Sequence, residues 1–219
     1  MKKIRIIVAC EESQTVCKAF RELGHEAFSC DILPCSGGHP EWHFKEDIFK
    51  VLNREPKFDL MVAHPPCTYL TVTGNRWFNE DKYGEKAIKR KKDRVEAIQF
   101  FKMLSEVDIK YLAIENPVGI MSTEWRKPDQ IVQPWMFGDE AQKTTCLWLK
   151  NLPLLKPTNI VGKGEIIKFS SGKSMPKWYA DAFYKCKTKE ERSTFRSKTF
   201  QGIADAMAKQ WSEYIMENN

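Results

Sequence analysis

Residues 59–70 read DLMVAHPPCTYL, an apolar run of strand length that stops at His64-Pro65-Pro66-Cys67. Two successive prolines fix φ twice and donate no backbone hydrogen bond, so the strand ends there and Cys67 leaves it in a set direction. Four other stretches share that apolar, strand-length character: IRIIVAC (4–10), HEAFSCDIL (25–33), IKYLAIENP (109–117) and TTCLWLK (144–150). Helical patterns lie between them. SQTVCKAFREL (13–23) has Ser13 at the expected N-cap, apolar Val16, Ala19, Phe20 and Leu23 on one face, and Gly24 to close it. A short helical piece follows at 46–55, a long one at 86–106, and a last one at 203–218. Strands alternating with helices predict an α/β fold with a mostly parallel central sheet and helices on both faces.

A chain of 219 residues, 42% hydrophobic and 29% charged, is expected to bury one core as a soluble globular protein. No run of 18 apolar residues is present, so no membrane span is expected. The start, MKKIRIIVACEE, reads as the first strand rather than a signal peptide, because its apolar run is short and acids follow at once. Seven dispersed cysteines without CxxC pairs suit reduced thiols and a cytoplasmic location. Cys30, Cys35, His39 and His43 are zinc-type residues, but their spacing is looser than usual ligand pairs; a loop is the better reading and no metal site is predicted. Segments 1–150, 151–198 and 199–219 read as a core, a small basic insertion and a C-terminal helix returning to the core. The net charge of +6 is concentrated: residues 150–198 hold twelve Lys or Arg against four acids, and EKAIKRKKDR (85–94) forms a second basic cluster. Such patches suit a polyanion, most simply nucleic acid, or else a solvated lysine-rich face.

In open α/β sheets, ligands sit beyond the carboxyl ends of the strands. Here those ends carry Cys10-Glu11-Glu12-Ser13, Asp31, His64-Pro65-Pro66-Cys67 and Glu115-Asn116-Pro117. An acid ending the second strand, as Asp31 does, suits a cofactor ribose. GxGxxG is missing after the first strand, and so is GxxxxGK, so hydride and phosphoryl transfer lack support. S-adenosylmethionine, an adenosine cofactor without pyrophosphate, needs no such cradle. Cys67 as a thiolate could attack carbon-6 of a pyrimidine while Glu115 protonates or hydrogen-bonds the ring nitrogen. Against this stand plainer roles: a small buried hydrophobe for Cys67, and an ion pair or helix-start acid for Glu115.

The order of these motifs along nearly the whole chain resembles the DNA cytosine carbon-5 methyltransferases. HPPCTYLT (64–71) is similar to the family's Pro-Cys nucleophile loop, AIENPVG (113–119) to its Glu-Asn motif, EDIF (46–49) to the motif whose Asp contacts the adenine amine, AQKTTCLWL (141–149) to its Gln-x-Arg strand, and TFQGIADAMAKQW (199–211) to its C-terminal helix. The resemblance implies a Rossmann-like methyltransferase fold with catalytic Cys67 and Glu115. It implies S-adenosylmethionine held by Cys10, Glu11, Ser13, Asp31, Ile32, Asp47, Ile48 and Pro65. It also implies a monomer acting on DNA, with Asn116, Thr71, Asn75, Arg76, Lys143 and Thr144 at the nucleic acid, residues 68–92 forming a loop that closes over the flipped cytosine.

Several features depart from the family. ACEESQTV (9–16) carries no glycine, Thr144 stands where the family has arginine, Ala204 where it has asparagine, and the sequence-reading region is about 50 residues. The short region leaves open single-stranded DNA, RNA or a pyrimidine nucleotide as substrate. The missing glycines leave open a nucleic-acid-binding module without catalysis.

Overall fold

The computed structural model describes residues 3–218, so Met1, Lys2 and Asn219, at the ends of the expected first and last segments, lie outside the described residues. The first half of the chain forms β1 (Arg5–Ala9), α1 (Thr15–Glu22), β2 (Glu26–Asp31), β3 (His43–Lys45), α2 (Ile48–Arg54) and β4 (Leu60–Ala63). It continues with α3 (Glu80–Tyr83), α4 (Glu85–Ser105), β5 (Tyr111–Pro117), α5 (Met121–Glu124), β6 (Gln130–Val132) and β7 (Thr145–Lys150). Last come β8 (Ile166–Lys168), β9 (Ser174–Pro176), α6 (Lys177–Lys185), α7 (Lys189–Ser197) and α8 (Gln201–Glu217).

Seven strands make one sheet in the order β3-β2-β1-β4-β5-β7-β6. The first five are parallel to one another, and β7 runs antiparallel between β5 and β6. This is the Rossmann-like α/β architecture, a mostly parallel central sheet with helices packed on it, expected from the sequence. Strands covered on both faces read as continuous apolar runs, which is why β1 and β4 stand out in the sequence. Alternate residues divide between two cores. Ile6 and Val8 pack with Val16 and Phe20 of α1 and with Met207 and Trp211 of α8; Ile7 and Ala9 pack with Val51 of α2 and Phe101 and Leu104 of α4.

Three local expectations change. Ser13 does not cap α1; Gln14 occupies the N-cap position, in the left-handed region at φ 59°, with no side-chain cap of its own. The expected 34–43 loop runs into the three-residue strand β3, and another three-residue strand, β6, extends the sheet's far edge; neither is long enough to show a period in the sequence. Residues 151–198, weakly patterned in sequence, hold the β8–β9 hairpin, α6 and α7.

Candidate active site

Register builds the site. Ala9 pairs with Cys30 and with Ala63, and Ala63 with Ile114. The next residues in each strand, Cys10, Asp31, His64 and Glu115, are therefore neighbours along one edge, where parallel strands all present their carboxyl ends.

The β4 exit is held on several sides. His64 donates its backbone N–H to the Ala9 carbonyl at 2.9 Å, and Asn116 Nδ2 donates to the Pro65 carbonyl at 2.7 Å. The chain then turns: the N–H groups of Leu70 and Thr71 both reach back to the Cys67 carbonyl at 3.0 Å. Ile120 N–H binds the Leu70 carbonyl at 2.8 Å, and Thr71 bridges Gly119. The approach is so close that a Cβ on Gly119 would sit 2.2 Å from the Leu70 oxygen. Outside this turn, Arg90 and Arg94 of α4 grip the loop by its carbonyls: Arg90 donates to Thr68 O at 2.6 Å and Arg94 to Tyr69 O at 2.8 Å. The Arg94 guanidinium also lies 3.4 Å from the Phe78 ring centroid. Two cations of the 85–94 cluster are thus committed to the protein itself.

Cys67, Glu115, Lys143 and His64 form one electrostatic cluster. Burial pushes the Cys67 thiol up, the Glu115 charge pushes it further, and Lys143 partly offsets both. Burial also favours a neutral Glu115, yet the hydrogen bond from His64 and the charge of Lys143 outweigh it and hold the carboxyl below the ordinary carboxylate value. His64 Nδ1 lies 3.0 Å from Glu115 Oε2. Lys143 is itself moored, donating to the carbonyls of Ser197 and Lys198 at 3.3 and 3.0 Å.

Beside this cluster opens a cavity of about 650 Å³. Of the residues the resemblance assigns to the cofactor, Cys10, Asp31, Ile32, Asp47 and Ile48 line it, and so does Pro66 rather than Pro65. Glu11 and Ser13 are not among its lining residues. Glu11 is instead buried, its Oε1 accepting from Val16 N–H at 2.6 Å and its Oε2 from Cys17 N–H at 3.1 Å. The carboxylate therefore fills the anion cradle that a helix N-terminus offers. Ser13 Oγ meets Thr15 Oγ1 at 3.3 Å. Asp47 also caps α2 through the N–H groups of Phe49 and Lys50, and Asp31 accepts from Leu33 N–H at 2.9 Å. Burial raises the Asp31 carboxyl, and the backbone bond to Leu33 opposes it.

The missing glycines have a local answer. Cys10 and Gln14 themselves adopt the left-handed conformation, at φ 58° and 59°. Such residues carry strain of about 1–3 kcal/mol each and persist only when their surroundings hold them. Gln14 is held completely: its Nε2 donates to His39 O at 2.8 Å and Ser29 Oγ at 3.2 Å, while its Oε1 accepts from His39 N–H and the Cys35 thiol. Gly37 packs so tightly on it that a Cβ would lie 2.5 Å from Gln14 Cβ. The zinc-type residues are engaged in this same region. Cys30 bonds Glu46 O, His43 bonds Ser29 Oγ and Leu33 O, and His39 stacks on Trp42.

The other expected nucleic-acid residues are scattered in role. Asn116 is buried under Pro65, Thr144 accepts from Gln133, Asn75 accepts from Arg94, Arg76 lies over Trp77, and Thr71 lies in the bridge to Gly119. Sequence reading missed Gln14 and one face of α4. Lys89, Asp93, Ala97 and Phe100 line the cavity at helical spacing, a signal present in the sequence but indistinguishable there from any surface stripe.

Among the described residues, no three metal-type side chains converge, and no helix is long and apolar enough to cross a membrane. The sequence matches no protein-family model and no curated protein. Two solved structures are similar in fold. One, encoded within a prophage of E. coli and described as a candidate DNA modification methyltransferase, is 15% identical, with a TM-score of 0.45 over 73% of this chain and 52% of that one. The other, the Entamoeba histolytica methyltransferase EhMeth, is 14% identical, with a TM-score of 0.45 over 74% of this chain and 58% of its own. The chain thus spans little more than half the length of either protein it resembles.

Proposed function

We propose that the chain methylates carbon-5 of cytosine in DNA, with S-adenosylmethionine as donor, Cys67 as nucleophile and Glu115 as the group that grips the base. One observation carries this reading: Pro66 lines the cavity while the next residue, Cys67, lies within the field of Glu115 and Lys143. A ligand in the cavity and a base at the cluster would meet across a single loop.

The cavity suits this donor. Glu11 already fills the α1 N-terminus, so a phosphate would find that cradle taken by a carboxylate. Asp31, Glu46, Asp47, Asp93 and Glu96 outnumber the single lysine, Lys89, around the cavity. That balance favours a cationic ligand over an anionic dinucleotide. Ile48, Ala97 and Phe100 offer apolar surface for an adenine. When bound, S-adenosylmethionine supplies an electrophilic methyl group on a sulfonium.

The residues do the rest. The target base leaves its stack to reach so recessed a pair. The Cys67 thiolate adds to carbon-6 as Glu115 gives a proton to ring nitrogen-3, which leaves carbon-5 nucleophilic. Lys143 lowers the Cys67 thiol and so favours the thiolate. After methylation a solvent water takes the carbon-5 proton, the electrons of that bond re-form the carbon-5–carbon-6 double bond and expel Cys67 as thiolate, and nitrogen-3 returns its proton to Glu115. Thr71, Asn75, Arg76 and Thr144 belong to the surface that receives the strand, with residues 151–198 as a reduced recognition region.

A second reading, single-stranded nucleic acid as the preferred substrate, is favoured by Phe183 and Tyr184 of α6. Both are exposed, Tyr184 at 79%, beside Lys185, Lys187 and Lys189. Exposed aromatics among cations stack unpaired bases. The test is methyl transfer from labelled donor to duplex DNA, single-stranded DNA, RNA and free nucleotides, with nucleosides identified by mass spectrometry. The expected outcome is 5-methylcytosine from DNA, and its complete loss in Cys67→Ala. Full activity in that variant would remove Cys67 from the chemistry.

A further inference from the structure

His64 is the one group in the cluster with no part in the scheme above, although its ring is nearly as buried as the carboxylate it touches (side chains 11% and 10% exposed). A histidine at a strand end, 51 residues from Glu115 in sequence, is brought into contact only because β4 and β5 pair in register. Its two nitrogens differ sharply. Nδ1 meets Glu115 Oε2 at 3.0 Å, while Nε2 is buried without a hydrogen-bond partner. A bare, buried nitrogen is tolerated far better as a lone pair than as an unsatisfied N–H. The arrangement therefore favours the tautomer with its proton on Nδ1, donated to Glu115.

We propose that His64 is a positioning residue for Glu115: it donates its Nδ1 proton to Oε2, turns Oε1 toward the pyrimidine, and so sets the acidity with which the carboxyl gives its proton to ring nitrogen-3. This rests on the cytosine reading above and deepens it. The step balances. The O–H bond at Oε1 breaks, an N–H bond forms at nitrogen-3, and the carboxylate left behind keeps the His64 bond that stabilises it. When Cys67 departs, the same proton returns. The neighbouring Asn116 serves the other side of the loop, bonding Pro65 O, so β5 fixes both the acid and the nucleophile's approach through adjacent residues.

Around the His64–Glu115 pair stand Glu11 after β1, Cys67 after β4, Lys143 before β7 and Cys146 on β7. With the Cys67 thiol raised and the Glu115 carboxyl lowered, thiol beside carboxylate is the prevailing pair, and the reactive pair, thiolate beside protonated acid, is its minor form, reached by passing the thiol proton to the carboxylate. The acidic bend of the rate profile then follows Glu115 and the alkaline bend follows Cys67.

The test compares His64→Ala with His64→Asn, whose amide Nδ2 replaces the Nδ1 donor but does not titrate. In His64→Ala the carboxyl loses its donor, so its titration moves to higher pH by about one unit or more. The rate falls on the order of 10- to 100-fold as orientation is lost. His64→Asn restores both most of the way. Glu115 titration is followed by carbon-13 NMR of labelled glutamate, assigned with Glu115→Gln, in intact protein without donor or DNA. That readout stands even where no methyl transfer is found, so failure of the cytosine reading and failure of this inference are separable. An unmoved Glu115 titration in His64→Ala would overturn it. So would a His64→Asn variant indistinguishable from His64→Ala, and so would nitrogen-15 spectra placing the neutral ring's proton on Nε2.

Discussion

Glu115 shows how much one side chain depends on its neighbours. Burial alone would raise its carboxyl, yet the His64 bond and the Lys143 charge leave it below the ordinary value of 4.5. A carboxyl lowered on folding contributes stability above its unfolded value and loses that contribution as pH falls through the folded one. Wild type is therefore expected to lose stability below about pH 4.5 more steeply than Glu115→Gln, read from denaturant midpoints across pH 3 to 6. Parallel curves would mean that Glu115 titrates alike in both states. Glu11 behaves in the opposite sense. Burial, its largest influence, raises it even though His64 and two backbone N–H groups pull it down. Its ionisation therefore costs the fold stability as pH rises through the raised value.

At the scale of elements, the Cys67 loop is held between two supports, the Gly119 corner after β5 and the α4 arginines. Both supports bond the backbone of the residues that follow Cys67. Gly119→Ala must push the Leu70 carbonyl away, because a Cβ there falls 2.2 Å from it. The expected result is a loss of about 1–3 kcal/mol in stability, as for other overpacked sites, with a larger loss in methyl-transfer rate. Stability is read from urea denaturation and the rate from labelled donor; a fall in stability with the rate unchanged would show that the loop tolerates the shift. The elements were unequally legible in the sequence. The β1 and β4 strands announced themselves because burial on both faces demands unbroken apolar runs. The strands β3 and β6 span three residues each, too few for a period to show. The reversal of β7 could not be read, since a strand's direction depends on the path of the chain before it.

Across the whole molecule, charge and chemistry are set apart. The sheet edge carries the acids, while residues 150–198 carry twelve basic groups against four acids. If this segment meets a phosphate backbone, affinity must fall with salt in proportion to the contacts made. Changing Lys185, Lys187 and Lys189 to Glu is expected to weaken DNA binding and to flatten the plot of log affinity against log salt by roughly one unit per lost contact. Fluorescence anisotropy at several salt concentrations measures this. An unaltered slope would place the nucleic acid elsewhere on the surface.

Local chemistry in the sequence determined the parallel sheet, the rigid exit at Pro65-Pro66 and the gathering of Cys67, Glu115 and Asp31 on one edge. Apolar runs mark strands, and parallel strands place their carboxyl ends together whatever the loops do. Only the tertiary structure decided how a turn without glycine is made. Gln14 must be clamped from His39 and Cys35, and Glu11 must fold back onto α1. Only it could give His64 a partner, because strand register, not spacing along the chain, brings residue 64 to within 3.0 Å of residue 115. Hydrogen bonds between distant residues leave no period in a sequence. They exist once the backbone has brought donor and acceptor together.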